Sequence, residues 1–529
     1  MQKKTNAVLK YIKEGVLFYI LVLMVSCQDD LHHSEDKNTL SLHSNYEITD
    51  GTIKIESKQR LKAILSSYQN DIKNQDDFND EIRIIQNRGF KPLTPIFDRN
   101  DNQKLEDFVR AKKARQQKTS STHSKNIAES VDEDFDVEDD LIQDPGFAAL
   151  LNEERELIIG DSLYKYTDHG LYFCLEKDRQ KLYNYLKDLS SSSKKNNGIG
   201  MTAKVPQDKD GISFFIPEES TFQIVPNSNT LGQSSFSGLP TPKLAKSSLE
   251  ISRIDKDGFF EKIFGETEVD TEDFDDGRRI KVKFWNQNYF IFSSLGCSAR
   301  FQKRVKILGI SGWQKSYADQ IELGINDISY DYNFNVPVYN AAKYNYENFF
   351  IEINGVKYVG SGKQIIEFPS GSTNFPFAGA SPQEVTVRIF NKDLFDVKYD
   401  ANKVYNQAVD LAVKQAFKNI VSLNPSQASL AKQVESGELL YKVIAVNPLS
   451  NKVTISTHGV KWTNNNDNAI THYFDFNFLL TYKSNYNNPE DYLKGLQGSR
   501  KYTSIRADIY GAALHDNIWK GRRLILGNK

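Results

Sequence analysis

Cysteine is scarce in this chain, long apolar runs are almost absent, and neither sign of charge prevails. The three cysteines stand at 27, 174 and 297, whereas a disulfide framework shows an even set at short spacings. Cys174 and Cys297 could pair in an oxidising compartment, but two buried thiols are the preferred reading, and neither has neighbours spaced as metal ligands. Beyond residue 25 no run approaches the roughly 20 apolar residues of a spanning helix. Lysine and arginine total 67 against 69 aspartates and glutamates, which argues against a nucleic-acid surface and gives no sign of a polyanionic substrate. Motifs for chemistry are missing too. There is no GxSxG elbow, no HExxH spacing and no cysteine with an evident partner histidine. Gly360-Ser361-Gly362-Lys363 looks like a phosphate loop, yet the motif needs a glycine where Lys357 stands and a hydroxyl residue where Gln364 stands. It reads as a hairpin turn. No catalytic residue, cofactor or metal is expected.

Aromatic residues, by contrast, are plentiful, with 32 Phe and 26 Tyr, and these favour pleated sheets. The 529 residues exceed one ordinary domain. The expected fold class is α+β, mainly β, multidomain, with antiparallel sheets and a few packed helices.

The first 30 residues carry the most specific signal. Lys3, Lys4, Lys10 and Lys13 precede an apolar run over 16–25 and then Ser26-Cys27. A basic start, a short apolar run and a small residue before the cleavage point mark a secretory signal peptide. The competing reading, a transmembrane anchor, needs about twice that length. Met24-Val25-Ser26-Cys27 resembles the lipobox of bacterial lipoproteins, with Met24 in place of the usual Leu. That resemblance implies cleavage between Ser26 and Cys27 and diacylglycerol on the Cys27 sulfur. Several acyl chains on one residue suffice to hold a protein at a membrane, each buried methylene contributing about 0.8 kcal/mol. Gln28-Asp29-Asp30 resembles the acidic tag that exports lipoproteins of Bacteroidetes to the cell surface; a periplasm-facing lipoprotein is the alternative.

The expected organisation follows from composition. Residues 1–26 are the signal peptide and 27–45 a polar tether with too little apolar surface to fold. Residues 46–115 read as mostly helical, with Leu61, Ile64, Leu65, Tyr68 and Ile72 on one face, a second helix over 78–86 and a basic one over 104–115. Residues 116–140, ending in dense carboxylates, read as a solvated acidic linker. Calcium capture there is the sharper alternative, but no glycine supplies the turn of a calcium loop. A β-rich domain is expected over 141–345, with a strand meander, a helix over 177–189 and a long irregular loop at 198–246. Residues 280–292 are apolar enough at their centre for a strand covered on both sides. A C-terminal α+β domain is expected over 346–529, with a hairpin at 349–359 and a helix carrying Ala416, Phe417 and Ile420 on one face, ended by Asn424-Pro425.

Two further stretches resemble uncharacterised surface lipoproteins of Bacteroidetes. One is Leu151-Asn152-Glu153 with Ile159-Gly160-Asp161-Ser162-Leu163-Tyr164-Lys165-Tyr166-Thr167; the other runs over 279–302 around Trp285-Asn286-Gln287-Asn288-Tyr289. The resemblance implies membership of that group and carries no activity or catalytic residue over to this chain. Asp161-Ser162-Leu163 also matches the O-glycosylation pattern of that phylum, although Ser162 can equally face inward on a strand.

His458, His472 and His515 are the candidates for metal or general-base work. His472 falls on a Phe-lined strand face and reads as a core residue, and His515-Asp516-Asn517 reads as a turn. Tyr339, Tyr344, Tyr346, Trp462 and Tyr486 sit in Asn-rich segments, where aromatic faces beside amides suit glycan or protein ligands, or else ordinary sheet edges. The expectation is a lipid-anchored ectodomain at the outer membrane, facing the exterior, that binds a glycan or protein partner without turnover. A lipid-anchored hydrolase of glycans or peptides and a subunit of an outer-membrane assembly are the alternatives. Cys27→Ala is predicted to abolish radiolabelled palmitate incorporation and to release the protein from membranes; unchanged labelling refutes lipidation at that sulfur.

Overall fold

The computed structural model describes residues 46–70, 72–94, 96, 103, 106–108, 110–111, 135–136, 141–192, 211–215, 250–253, 260–262, 264–307, 310–333, 349–353, 356–364, 385–389, 414–429, 441–447, 452–478 and 502–526. Among these the architecture is α+β and mainly β, with strands in three sheets of six, seven and nine.

The first sheet runs in chain order through Tyr46–Thr49, Thr52–Ile55, Glu156–Ile159, Ser162–Thr167, Gly170–Leu175 and Ile212–Phe215. Its central meander matches the expected strands, with Gly160 at φ +59° serving the first turn. Helix Arg179–Ser192 covers one face, where Leu182 joins Ile158, Leu163, Tyr172, Cys174 and Ile212 in a common core. Helices Lys58–Asn70 and Ile72–Asn87 also lie close to their expected places. Leu61, Ile64, Leu65 and Tyr68 are all buried, as their spacing requires. The Tyr68 ring meets Phe78 edge-on at 4.8 Å.

The second and third sheets pack face to face as a sandwich. The second orders Phe135–Asp136, Ile310–Lys315, Phe292–Ile307, Arg278–Asn288, Gly265–Asp273 and Phe260–Lys262, and Ala469–Phe478 also pairs with Phe292–Ile307. The third orders Val356–Val359, Phe349–Ile353, Val385–Ile389, Tyr441–Asn447, Lys452–Asp467, Ala318–Asn333, Tyr502–His515, Ile518–Leu526 and Glu250–Arg253. Their shared core includes Ile280, Val282, Phe284, Cys297 and Phe301 from one side and Ile321, Leu323, Ile325, Ile509 and Leu524 from the other.

Four expectations need correction, the first being the irregular loop at 198–246, within which Ile212–Phe215 pairs with Gly170–Leu175 as a strand of the first sheet. A division at 345/346 does not separate two folding units. Ala318–Asn333 lies between Lys452–Asp467 and Tyr502–His515 in the third sheet, and Ala469–Phe478 pairs into the second. Both flanks of the expected boundary therefore build the same sandwich. The stretch 280–292 is not one strand. Arg278–Asn288 ends at a turn in which Asn288 accepts the Phe290 N–H, Phe290 takes φ +74°, and Phe292 starts the next strand. The acidic stretch 116–140 is not linker throughout. Phe135–Asp136 forms a short parallel strand on Ile310–Lys315, and Asp136 is buried.

That burial is compensated by direct partners. The Asp136 carboxylate accepts from Arg279 at 2.7 Å and Lys281 at 2.8 Å, and from Gln302, while Arg279 lies over Trp313 at 4.1 Å. Removing one member of a buried pair leaves an uncompensated charge, which costs about 3–5 kcal/mol. Asp136→Ala is predicted to lower stability by that order in chemical denaturation. A loss under about 1 kcal/mol, the range of solvated surface pairs, would contradict the burial.

Candidate functional site

The aromatic and amide segment around Trp462 lies where the chain changes sheets. Strand Lys452–Asp467 belongs to the third sheet and Ala469–Phe478 to the second, so the turn between them forms a corner of the sandwich. Trp462 lies opposite Leu323 on the inner face of the third sheet, and His472 lies opposite Cys297 on the inner face of the second. The two rings stack across the gap with centroids 4.3 Å apart, and Phe474 meets the imidazole edge-on. His472 is therefore the core-facing residue that its strand pattern predicts, and half-buried Trp462 packs against the core rather than standing as an open platform. The nearby amides are engaged as well. Asn464 donates to Asp467 at 2.8 Å, and Asn465 accepts from Gln320 at 2.8 Å.

The other sequence-derived site residues scatter. Ser26, Cys27, Gln28, Asp29, Asp30, Tyr344 and Tyr346 lie outside the described residues, as do Tyr339 and Tyr486. Ser162 opens a strand half-buried and hydrogen-bonds the Tyr164 side chain, while Asp161 before it is exposed. Cys174 and Cys297 are separate, buried thiols. Burial pushes the Cys174 thiol up to about 11 and Cys297 higher still, away from thiolate chemistry at neutral pH. Gly360-Ser361-Gly362-Lys363 forms the expected turn, with Gly362 at φ +87° packed against the backbone of Asn419.

Sequence reasoning missed a set of buried or half-buried carboxylates, each surrounded by donors. Asp144 caps the short helix Pro145–Leu150 through the Phe147 N–H and also accepts from Ser294 at 2.6 Å and Tyr473 at 3.2 Å. Burial drives its pKa up against the pull of these donors and of Lys283. Glu156 accepts from Lys165 at 2.9 Å, Tyr183 at 2.6 Å and Asn152 at 3.3 Å. Burial opposes its ionisation, but the Lys165 charge and these hydrogen bonds hold its carboxyl below the usual range. Glu322 accepts from Tyr510 at 2.6 Å, with Lys461 at 3.3 Å. Asp508 takes the Arg523 guanidinium on both oxygens and the Asn326 amide. Carboxylates already holding donors from distant strands act as ties between elements.

Glu268 is different. It is 6% exposed in strand Gly265–Asp273, opposite Phe284, and its Oε1 has no hydrogen-bond partner among the described residues. Burial alone pushes its pKa up to about 7. An unpaired acid of near-neutral pKa is the form that general acid–base work needs.

At the far end of the sandwich two hairpin turns meet. Asp276, in the turn before Arg278–Asn288, contacts His515 Nε2 at 2.8 Å, and Asp516 Oδ2 lies 3.3 Å from the same nitrogen. The reading of His515-Asp516-Asn517 as a turn holds, with Asp516 at φ +48° and Asn517 at φ +62°. Its proximity to Asp276, 239 residues earlier, had no sequence signal. Compared with known proteins, the chain matches no family model, no curated protein and no solved structure.

The Glu268 environment makes a pH-dependent prediction. Its folded pKa lies above the value of 4.5 expected of a solvated glutamate, so folding favours the protonated acid. The associated stability is fully present below about pH 4.5 and is lost as pH rises through about 7. Glu268→Gln stays neutral throughout, so its melting temperature relative to the parent should improve between pH 5 and pH 8. A difference that does not change with pH would show that Glu268 is solvated.

Proposed function

We propose that this chain is a lipid-anchored bacterial surface protein whose folded part binds an extracellular glycan or protein partner without turnover. The observation that carries the anchoring is the run over 16–25 followed by Ser26-Cys27 and Gln28-Asp29-Asp30. In this reading acyl chains on Cys27 hold the protein at the outer membrane, and the acidic tag directs it outward. No described helix is long and apolar enough to cross a membrane.

Binding rather than turnover is supported by how the described polar side chains are used. Asp136, Asp144, Glu156, Glu322 and Asp508 each hold donors that tie strands or helices together. Such groups are costly to free for proton transfer, because a buried carboxylate stripped of donors loses its solvation twice over. A partner is then engaged through exposed turns and edges, which tolerate the side chains that recognition needs.

A second reading, a lipid-anchored hydrolase, is favoured by one observation, the buried Glu268, whose Oε1 has no hydrogen-bond partner among the described residues and whose pKa burial raises to about 7. Glycan or peptide hydrolysis that disappears in Glu268→Gln, with folding retained, would establish it in place of the binding reading.

Surface display is the testable core of the proposal. Proteinase K added to intact cells is expected to digest the folded part. Complete protection on cells, with ready digestion of the purified protein, would put the molecule on the periplasmic side.

A further inference from the structure

The turns at Asp276 and at His515–Asp516 belong to different sheets. Asp276 lies between strands Gly265–Asp273 and Arg278–Asn288 of the second sheet, and Asp516 between Tyr502–His515 and Ile518–Leu526 of the third. The His515 imidazole is held between the Phe274 and Phe301 rings, 5.8 and 5.4 Å away by centroid. Its side chain is 13% exposed, so the ring has little freedom, and its Nε2 points to the gap between the turns. Asp516 is held from behind, its backbone N–H donating to Asp319 at 3.1 Å.

The geometry of this gap has an excess of acceptors. Nε2 can carry one proton, yet two carboxylate oxygens converge on it, at 2.8 and 3.3 Å. All three donor atoms lie within 4.8 Å of one another. Ligands bound about 2.0–2.2 Å from a tetrahedral zinc ion stand roughly 3.4 Å apart, so small side-chain adjustments bring the three onto one ion. Arg278 bonds the same Asp276 Oδ2 that faces His515 and its backbone N–H donates to Oδ1, so an ion must displace the guanidinium, while Asp516 Oδ2 remains open to it and Lys520 is turned to Asp275 and the Asp273 carbonyl.

We propose that His515 Nε2, Asp276 and Asp516 form a site for a divalent transition ion, zinc in the first instance, that joins the two sheets at this end of the sandwich. One imidazole with two carboxylates suits zinc better than calcium or magnesium, which prefer all-oxygen shells. Asp516 is 79% exposed, so the remaining coordination position faces solvent and takes water or an oxygen from a ligand. Arg278 competes with the ion for the Asp276 carboxylate, so Arg278 acts as a brake on affinity.

The test is isothermal titration of the full chain, purified in detergent, with Zn²⁺ alone. One ion per chain is expected. Asp516→Asn, at an exposed turn position where Asn keeps the size and the left-handed backbone, should weaken that binding by about tenfold or more. His515→Ala should abolish it, and Arg278→Gln should tighten it. An unchanged isotherm in both Asp516→Asn and His515→Ala would place the zinc elsewhere and overturn the proposal, as would no stoichiometric binding by the parent. If His515→Ala fails to fold, Asp516→Asn decides alone. Weakening in Arg278→Gln would also overturn it, because a plain ion-pair cluster loses order when its cation is removed.

Discussion

The second sheet has a charged face that must be buried, and much of the molecule is arranged around that requirement. Strand Arg278–Asn288 alternates Ile280, Val282 and Phe284 toward the sandwich core with Arg279, Lys281, Lys283 and Gln287 on the opposite face. Lys281 and Lys283 are 4 and 5% exposed. Buried ammonium groups without partners would shed their protons or unfold the sheet. The chain supplies the partners from residues 135–150. Asp136 meets Arg279 and Lys281, and the Gln143 carbonyl and amide oxygens take the Lys283 protons. Gln287 closes the same seam by accepting the Gln143 N–H and donating to the Leu141 carbonyl.

That seam also orients the aromatic layer between the first and second sheets. Once Asp144 caps its helix, Phe147 is placed edge-on to Tyr166 at 5.4 Å and to Phe292 at 4.8 Å. The Tyr166 hydroxyl then donates to the Tyr289 carbonyl inside the turn that reverses the second sheet. Tyr289 in turn donates its hydroxyl to Gln287. Polar satisfaction and aromatic packing are thus coupled through the same few residues, so losing one partner exposes both a charge and a ring. Gly296 shows how tight this layer is, since an added Cβ would lie 2.4 Å from the Trp285 ring.

Much of the secondary structure was legible because it depends on local periodicity. Helix Lys58–Asn70, the meander from Glu156 to Leu175 and the hairpin strands Phe349–Ile353 and Val356–Val359 follow from spacing and turn chemistry alone. The turn at Tyr289–Ile291 was not legible. It contains neither glycine nor proline, and its positive φ at Phe290 is sustained by tertiary contacts with Phe173 and Phe215 at 5.2 and 4.8 Å. The docking of Asp136 was hidden for a related reason. A carboxylate in an acidic run looks solvated until the cations that receive it, more than 140 residues later, are placed beside it. The shared sandwich was equally invisible, because the strands that join residues before 345 to those after it pair over long sequence distances.

The same reasoning separates what the interior can do from what the surface can do. Apart from Glu268, the buried carboxylates named above are committed to donors, and an interior so arranged is specific and rigid, since any proton moved there must be replaced by another partner. Under the proposed reading, recognition and ion capture fall to the turns at the sandwich ends, where side chains from different sheets approach one another without being enclosed. His515 illustrates the division. Its ring is fixed by Phe274 and Phe301 in the core, while its Nε2 is presented to carboxylates that are 35 and 79% exposed. A donor held by the core and aimed outward keeps its geometry without giving up access, which is the condition a rigid sheet protein must meet to bind anything at its surface.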